Sequence, residues 1–211
     1  MRCLKVKIID RQSVKNTFSH TWYIYPVAAA VISLLWVWGY QAIHLPSDHQ
    51  IINIFFSTNI NDDSFKKTIE TNFSKEDLRE LNTYSCWPQV KDYYTVLNMR
   101  LANSDLLVLP ERIMKEFGND LDKIVVEIND SIIEKYLSES PSFFTVEGKN
   151  YGLEIKEKGE ACWLDEYMTF DDDSYYVALS RSSKNLGDVL DENNAKFDNA
   201  LKVLGILEKG E

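Results

Sequence analysis

Histidine is the commonest general acid–base group and the commonest metal ligand in proteins, so its distribution limits the chemistry open to this chain. The three histidines are His20, His44 and His49, and the sequence from Gln50 onward contains none. That part of the chain therefore lacks Ser-His-Asp and Cys-His catalytic groups and zinc sites of the H-E-x-x-H type. It also lacks a G-x-G-x-x-G motif or phosphate-binding loop. We expect no enzymatic activity and no bound cofactor.

Two groups of acidic residues lie close together late in the sequence, Asp165-Glu166 and Asp171-Asp172-Asp173. Calcium loops place oxygen ligands at alternate positions and use a glycine for the turn. Three consecutive aspartates do not follow that pattern. The sequence therefore favours a solvated loop over a calcium site and predicts no metal centre.

The cysteines Cys86 and Cys162 are each followed by tryptophan, and the sequence leaves two states of this pair open. A disulfide would close a loop of about 77 residues and stabilise the fold by about 4.5 kcal/mol on the chain-entropy model. The alternative is two buried thiols, because a sequence does not give the distance between the two Cα atoms. The third cysteine, Cys3, is predicted to be a free cytoplasmic thiol.

Residues 51–208 alternate between short apolar runs and segments with helical periodicity, which predicts a single α/β domain. Its sheet is expected to be mostly parallel or mixed, with helices on its faces. The nearly continuous apolar run 51–57 suits a strand covered on both faces. Strands are predicted at 51–57, 78–85, 105–110, 143–146, 151–155 and 175–180. Helices are predicted near 65–73, 90–101, 110–118 and 120–136, and from Glu192 to the end of the domain.

A long uncharged segment precedes this domain. No Asp, Glu, Lys or Arg occurs in residues 21–45, and residues 22–43 are mostly apolar with aromatic residues near both ends. As a helix, such a segment would be about 33 Å long, which matches a hydrocarbon core of about 30 Å. We predict an uncleaved transmembrane helix in contact with the lipid bilayer. The alternatives are a cleaved secretory signal and a helix buried in a protein core.

The charges on either side of this helix predict its orientation. Residues 1–21 are basic, whereas the chain from Gln50 onward has 31 acidic and 18 basic residues. The positive-inside rule then predicts a cytoplasmic tail over 1–21, a linker over 44–50, and an extracytoplasmic domain of a single-pass membrane protein. The acidic excess excludes a nucleic-acid partner.

Several segments resemble bacterial extracytoplasmic solute-binding proteins, the receptors of ABC importers. The run 94–110, which ends in Asp105-Leu-Leu-Val-Leu-Pro110, resembles their helix, turn and strand. The segments 146–153 and 175–183 resemble a hairpin and a later strand with its polar loop. The region has room for about one of the two lobes of such a receptor. The resemblance implies a recognition domain, with the end of the strand 105–110 bordering a ligand cleft.

Open α/β sheets bind ligands at the carboxyl ends of their strands, so we predict the binding residues in the loops that follow. The main hypothesis is a non-enzymatic, membrane-anchored domain that binds a small solute or a protein partner. The alternative is an accessory subunit of a membrane complex such as a transporter, because Ala28-Ala29-Ala30 and Ser33 would let another helix approach closely. The candidate binding residues are Ser57, Thr58, Asn59, Pro110, Glu111, Arg112, Ser180, Arg181 and Ser182.

Overall fold

The structure is a computed structural model that describes residues 22–44, 46–137, 141–183, 185–186 and 198–210. The chain divides into two compact units, residues 1–45 and 46–211. The predicted basic tail with Cys3 and the first residues of the helix predicted from Glu192 lie outside the described residues.

The first unit contains helix α1, Ile24–His44, at the position of the predicted apolar segment. Its 21 residues give a length of about 31 Å. None of the residues Ile24–Gln41 is buried, and the rings of Trp36 and Tyr40 stack with centroids 6.2 Å apart. By length and composition α1 is sufficient to cross a membrane, and a signal sequence would have the same properties.

The second unit is an α/β domain with a mixed six-stranded sheet flanked by helices, as the sequence predicts. Two further short strands, β2 and β7, form a separate antiparallel pair. The strands are β1 (Ile51–Phe56), β2 (Asn59–Ile60), β3 (Glu80–Ser85), β4 (Leu106–Pro110), β5 (Phe143–Val146), β6 (Lys149–Lys156), β7 (Met168–Thr169) and β8 (Tyr175–Leu179). The helices that follow α1 are α2 (Phe65–Thr71), α3 (Tyr93–Leu101), α4 (Glu111–Phe117), α5 (Leu121–Ile124), α6 (Asp130–Tyr136) and α7 (Asn199–Lys209).

The order of strands in the large sheet is β3-β1-β4-β8-β6-β5. Strands β3, β1 and β4 are parallel to one another. Strand β8 is antiparallel to β4 and to β6. The register pairs Leu106 of β4 with Leu179 and Pro110 with Tyr175. The carboxyl end of β8 therefore lies at the opposite edge of the sheet from the carboxyl ends of β1 and β4.

Alternate residues of the central strands enter two separate apolar clusters, one on each face of the sheet. Ile54 of β1 and Val108 of β4 belong to the cluster that includes buried residues of α2, α6 and α7. Phe55 and Leu107 belong to the other cluster, with buried residues of α3 and α4. Because helices cover both faces, all five residues of β4 and all five of β8 are buried. Continuous apolar runs are the expected sequence for such strands.

Strands β5 and β6 form the predicted hairpin. Val146 pairs with Lys149, so the turn consists of Glu147 and Gly148 alone. Both have positive φ, 51° and 81°, as a type I′ turn requires. Glycine adopts this conformation without a steric penalty.

The prediction of one continuous helix over residues 120–136 is wrong. The chain forms the short helices α5 and α6, separated by the non-helical residues 125–129. The backbone N–H of Val126 donates to the carbonyl of Leu179 at 2.8 Å, and that of Ile128 donates to the carbonyl of Asn150 at 2.7 Å. Hydrogen bonds to two strands thus replace helical ones, and Asn129 caps α6 by accepting from the N–H of Ile132 at 3.1 Å.

Candidate functional site

The predicted binding residues lie at two opposite edges of the sheet, because β8 runs against its neighbour β4. We call the edge at the carboxyl ends of β1 and β4 the carboxyl edge, and the edge at their amino ends the amino edge. The carboxyl edge carries residues 57–59 and 110–112, and the amino edge carries residues 180–182. The structure therefore does not bring the nine residues into one site.

At the carboxyl edge, the two residues after β1 are buried and have hydrogen-bond partners. The hydroxyls of Ser57 and Tyr93 share a hydrogen bond with an oxygen–oxygen distance of 2.6 Å. Burial raises the pKa of Tyr93 above its ordinary value. The Thr58 hydroxyl donates to the backbone carbonyl of Thr169. These side chains hold the start of the loop rather than present free polar groups.

Arg112, which the sequence suggests as a cationic ligand group, is held by carboxylates of the same chain. Its guanidinium donates to the carboxylate of Asp171 and lies 4.0 Å from that of Asp173. Its backbone N–H also donates to Asp173 Oδ2 at 3.3 Å. Burial acts to lower the pKa of Arg112, but the hydrogen bond and charge of Asp171 raise it overall. The positive charge of Arg112 is thus already neutralised by Asp171 and Asp173.

The acidic run 171–173 is only partly the solvated loop that the sequence predicts. The Asp171 side chain is 7% exposed, whereas that of Asp172 is 82% exposed. The backbone N–H of Asp171 donates to the hydroxyl of Tyr175 at 3.2 Å, and burial raises the pKa of Tyr175 to about 12. Within the described residues, no group of three or more His, Cys, Asp or Glu side chains is placed to hold a metal ion.

The other predicted residues of the carboxyl edge also have partners within the chain. Pro110 is buried as the last residue of β4. Glu111 forms an ion pair with Lys115 at 2.7 Å. The exposed Asn59 donates from Nδ2 to Asn61 Oδ1 at 3.1 Å. The polar groups of this edge therefore hold the loops in position.

The amino edge contains a small polar pocket of about 210 Å³. Of the predicted residues, Ser182 lines it directly. The lining comes from the start of β1, the turn between α3 and β4, and the segment after β8. The lining residues are Ile51, Asn53, Ala102, Asn103, Ser104, Asp105, Ser182 and Asn185.

Asp105, which is 5% exposed, connects the parts of the chain around this pocket. Its Oδ2 accepts from the backbone N–H of Asn53 at 2.8 Å. Its Oδ1 accepts from the hydroxyl of Ser183 at 2.5 Å and from Nδ2 of Asn185 at 3.1 Å. Within the described part of the chain, no cation forms an ion pair with this carboxylate. Three neutral donors thus hold a nearly buried negative charge in place.

Two buried polar atoms of the pocket residues have no hydrogen-bond partner in the described part of the chain: the hydroxyl of Ser104 and Oδ1 of Asn185. Ser104 is 2% exposed and Asn185 is 1% exposed. The Asn185 amide nitrogen donates to the carbonyl of Ile51 at 3.0 Å as well as to Asp105. The amide orientation is therefore fixed, and Oδ1 is left as an unused acceptor. Most buried polar groups are paired, so these two atoms distinguish the amino edge.

The remaining predicted residues of this edge have local roles. The hydroxyls of Ser180 and Ser182 both donate to the carbonyl of Leu101, at 3.2 and 3.1 Å. Arg181 is exposed, and its backbone N–H donates to the carbonyl of Ile124 at 2.9 Å.

The binding-residue prediction did not include five polar residues that line the pocket. A polar triplet immediately before a fully apolar strand, Asn103-Ser104-Asp105, was the available sequence signal for three of them. Asn53 and Asn185 have no comparable signal, because they reach the pocket only through the tertiary fold. The five residues are Asn53, Asn103, Ser104, Asp105 and Asn185.

Of the two states left open for the cysteines, the structure has Cys86 and Cys162 as free thiols. The physical reason is their position: Cys86 packs against one apolar cluster and Cys162 against the other, on opposite faces of the sheet. Burial, followed by the charge of a nearby aspartate, raises the pKa of each thiol. Neither thiol is therefore activated as a nucleophile.

Together, the fold and the two edges define an α/β domain with a mixed sheet, preceded in the sequence by one apolar helix. Comparisons with protein-family models, with curated proteins and with solved structures find no match for this chain.

Proposed function

We propose that this protein is a membrane-anchored recognition domain without enzymatic activity. The observation that carries the proposal is α1, in which none of the residues Ile24–Gln41 is buried. Soluble monomeric proteins rarely expose apolar patches larger than a few hundred Å². A helix with apolar residues on all sides is expected to be covered by lipid or by other protein.

The orientation follows from charge. The basic residues 1–21 belong on the cytoplasmic side, so the acidic domain is proposed to lie outside the cytoplasm. The acidic excess of that domain also repels anionic lipid headgroups. A domain of this kind would present its loops to the surroundings while α1 anchors it in the bilayer.

Three properties of the domain favour recognition over catalysis. The described part of the domain contains one histidine, His49, which precedes β1. Both described cysteines have raised pKa values. The small polar pocket at the amino edge and the loops at both edges are the surfaces on which a solute or partner would be bound. The resemblance to a single lobe of a solute-binding protein agrees with such a role and remains part of the proposal.

Membrane fractionation of the full chain with a C-terminal tag tests the anchor. We expect the protein to stay in the membrane pellet after alkaline carbonate washing, at the mass of the uncleaved chain. The double variant Leu34→Asp/Leu35→Asp should abolish insertion, because each aspartate at the centre of a helix costs about 3 kcal/mol. The matched control is Val90→Asp/Met99→Asp, which changes two apolar residues of the domain that are each 51% exposed. A soluble product shortened at its N-terminus would show that α1 is a cleaved signal.

Labelling with a membrane-impermeant maleimide tests the orientation. In a variant without Cys86 and Cys162, an Asp172→Cys substitution places a thiol at a side-chain position that is 82% exposed. We expect this thiol to react in intact cells and Cys3 to react only after lysis. The reverse result would contradict an extracytoplasmic domain.

The second candidate function is an accessory subunit that contacts other membrane proteins through α1. The small residues Ala28-Ala29-Ala30 and Ser33 favour it, because small side chains allow close helix packing. Crosslinking in native membranes distinguishes the two functions. A specific heterologous adduct that is lost in Ala29→Leu would support the accessory role, whereas an uncrosslinked α1 would leave the anchor as its only function.

A further inference from the structure

The pocket at the amino edge has the properties of a ligand site. Its volume of about 210 Å³ is below the range of about 300–1,000 Å³ for pockets that hold drug-sized molecules. A single water occupies about 30 Å³ in the liquid, so the space is too large for one ordered water. The volume therefore suits a small molecule of a few heavy atoms.

The charge of the pocket selects the kind of molecule. Of the eight described residues that line it, Asp105 is the only ionisable one. Within the described residues its carboxylate has three neutral donors and no ion-pair partner. A buried carboxylate is costly unless it is paired or well hydrogen-bonded. An anionic ligand would add repulsion, whereas a cationic ligand would supply a counter-charge that the described residues do not.

The unpartnered atoms define the hydrogen-bonding groups that the ligand should carry. Asn185 Oδ1 is an acceptor, and the Ser104 hydroxyl can accept as well as donate. The Asp105 carboxylate offers about four lone-pair sites, of which three are used. The pocket residues thus include three acceptors, on Asp105, Ser104 and Asn185, of which those on Ser104 and Asn185 are buried in the floor of the pocket. A protonated primary amine has three N–H donors.

We propose that this pocket binds a small molecule through a protonated primary amine. The proposal rests on the recognition function above and adds the class of ligand. A divalent metal ion fits less well, since Ca²⁺ takes six to eight oxygens, several of them usually from carboxylates, and one carboxylate lines the pocket. Asp105 supplies the charge, while Ser104 and Asn185 supply the remaining acceptors.

Binding is tested on the full chain in detergent by calorimetry and by thermal unfolding. The probes are two matched pairs of equal size, ethanolamine with ethylene glycol and 1,4-diaminobutane with 1,4-butanediol, together with KCl at the same ionic strength. We expect a saturable signal with at least one amine, with a Kd in the millimolar range or tighter, and none with the diols or KCl. An equal response to the diol of the pair, or to KCl, would overturn the proposal, as would no response to either amine.

Variants connect the signal to the pocket. Asp105→Asn should weaken amine binding about tenfold or more, because hydrogen bonds to charged groups contribute about 1.5–3 kcal/mol. Ser104→Ala should weaken it about three- to tenfold and leave no partner stranded, so it serves as the test if Asp105→Asn does not fold. Asp172→Asn, at an exposed carboxylate that does not line the pocket, is the matched control and should bind as the wild type does. Unchanged amine binding in Ser104→Ala and in a folded Asp105→Asn would overturn the proposal.

Failure of this proposal is distinguishable from failure of the proposed function. Carbonate extraction reports on α1 and does not depend on the pocket. If the protein is anchored but does not bind amines, the proposed ligand class is wrong and the recognition role is unaffected. If the protein is released as a soluble chain but still binds amines, the proposed anchor is wrong and the proposed pocket is unaffected.

Discussion

The two edges of the sheet both carry buried serines and aspartates, but they differ in how those groups are satisfied. At the carboxyl edge, Ser57 is bonded to Tyr93 and Asp171 to Arg112. At the amino edge, neither the Asp105 carboxylate has a cationic partner nor the Ser104 hydroxyl a hydrogen-bond partner among the described residues. The comparison teaches that polar residues at strand ends are not equivalent, because those of the carboxyl edge have partners in their own chain whereas two polar atoms of the amino edge have none among the described residues.

The difference arises from strand direction. Because β8 is antiparallel to β4, the loop after β8 meets the start of β4 rather than its end. Ser183 and Asn185 thereby reach Asp105, and the carboxyl edge receives the acidic segment that precedes β8. That segment supplies Asp171 and Asp173 to Arg112.

The largest expected effect on stability comes from Asp105→Ala at the amino edge. The change leaves three buried donors without their acceptor, at a cost of about 1–3 kcal/mol each before relaxation. We expect a loss of about 3–4 kcal/mol in the free energy of unfolding, measured by urea denaturation of the full chain in mild detergent. The control Asp172→Ala removes an exposed carboxylate that is paired with Lys158 and should cost less than about 1 kcal/mol. Equal losses of stability in the two variants would show that the hydrogen bonds of Asp105 do not hold the segments of the amino edge together.

The sequence allowed most elements of the domain to be predicted, because apolar runs and helical periodicity are local signals. The two-residue strands β2 and β7 were not predicted. The run that contains β1 and the hairpin around Gly148 were found in this way. The continuous helix over 120–136 was wrong, because hydrogen bonds from Val126 and Ile128 to distant strands outweigh local periodicity.

The pocket could not be predicted for a related reason. Asn53, Asp105 and Asn185 are far apart in the sequence, and they meet only because β1 and β4 are neighbours and β8 is reversed. Strand direction is a property of the tertiary fold. The ion pairs of Arg112 could not be predicted either, because its carboxylate partners lie 59 and 61 residues further along the chain.

The dependence of stability on pH tests the buried tyrosine Tyr175 at the carboxyl edge. Burial raises the pKa of Tyr175 from its ordinary 10.0 to about 12, so the folded state favours the neutral phenol. Its contribution to stability is present below pH 10 and is lost as the pH rises from about 10 through about 12. The full loss corresponds to about 2–3 kcal/mol. Urea denaturation between pH 9 and pH 12 should show a shallower decline in Tyr175→Phe than in the wild type.

The control for this titration is Tyr94→Phe, whose ring is 53% exposed. It should leave most of the alkaline decline in place. If Tyr94→Phe flattened the decline as much as Tyr175→Phe does, the decline would not originate in the buried phenol of the carboxyl edge.

Removing the cation of the carboxyl edge should have a somewhat smaller effect. Arg112→Gln leaves the carboxylate of Asp171, which is 7% exposed, without its guanidinium. Because the Arg112 side chain is 43% exposed, solvent screens part of the interaction, and we expect a loss of about 1–2 kcal/mol. The double variant Arg112→Gln/Asp171→Asn should recover part of it, as a double-mutant cycle would detect. Lys123→Gln, at an exposed ion pair, should leave the free energy of unfolding nearly unchanged.

The smallest effects give the most direct test of the comparison, since they come from the same substitution at the two edges. Ser57→Ala strands the buried Tyr93 hydroxyl and should cost about 1–2 kcal/mol. Ser104→Ala removes a buried hydroxyl that has no partner, so the free energy of unfolding should stay unchanged or rise by up to about 1 kcal/mol.

The conclusion depends on how the effects of Ser57→Ala and Ser104→Ala on the free energy of unfolding differ in sign. If Ser104→Ala destabilised the domain as much as Ser57→Ala does, its hydroxyl would have to be bonded in the unliganded protein, for example through a buried water. The amino edge would then be as fully satisfied as the carboxyl edge, and the ligand would have to compete with that water for the same hydroxyl. A neutral or stabilising Ser104→Ala, together with a costly Ser57→Ala, leaves an unused polar group at one edge alone.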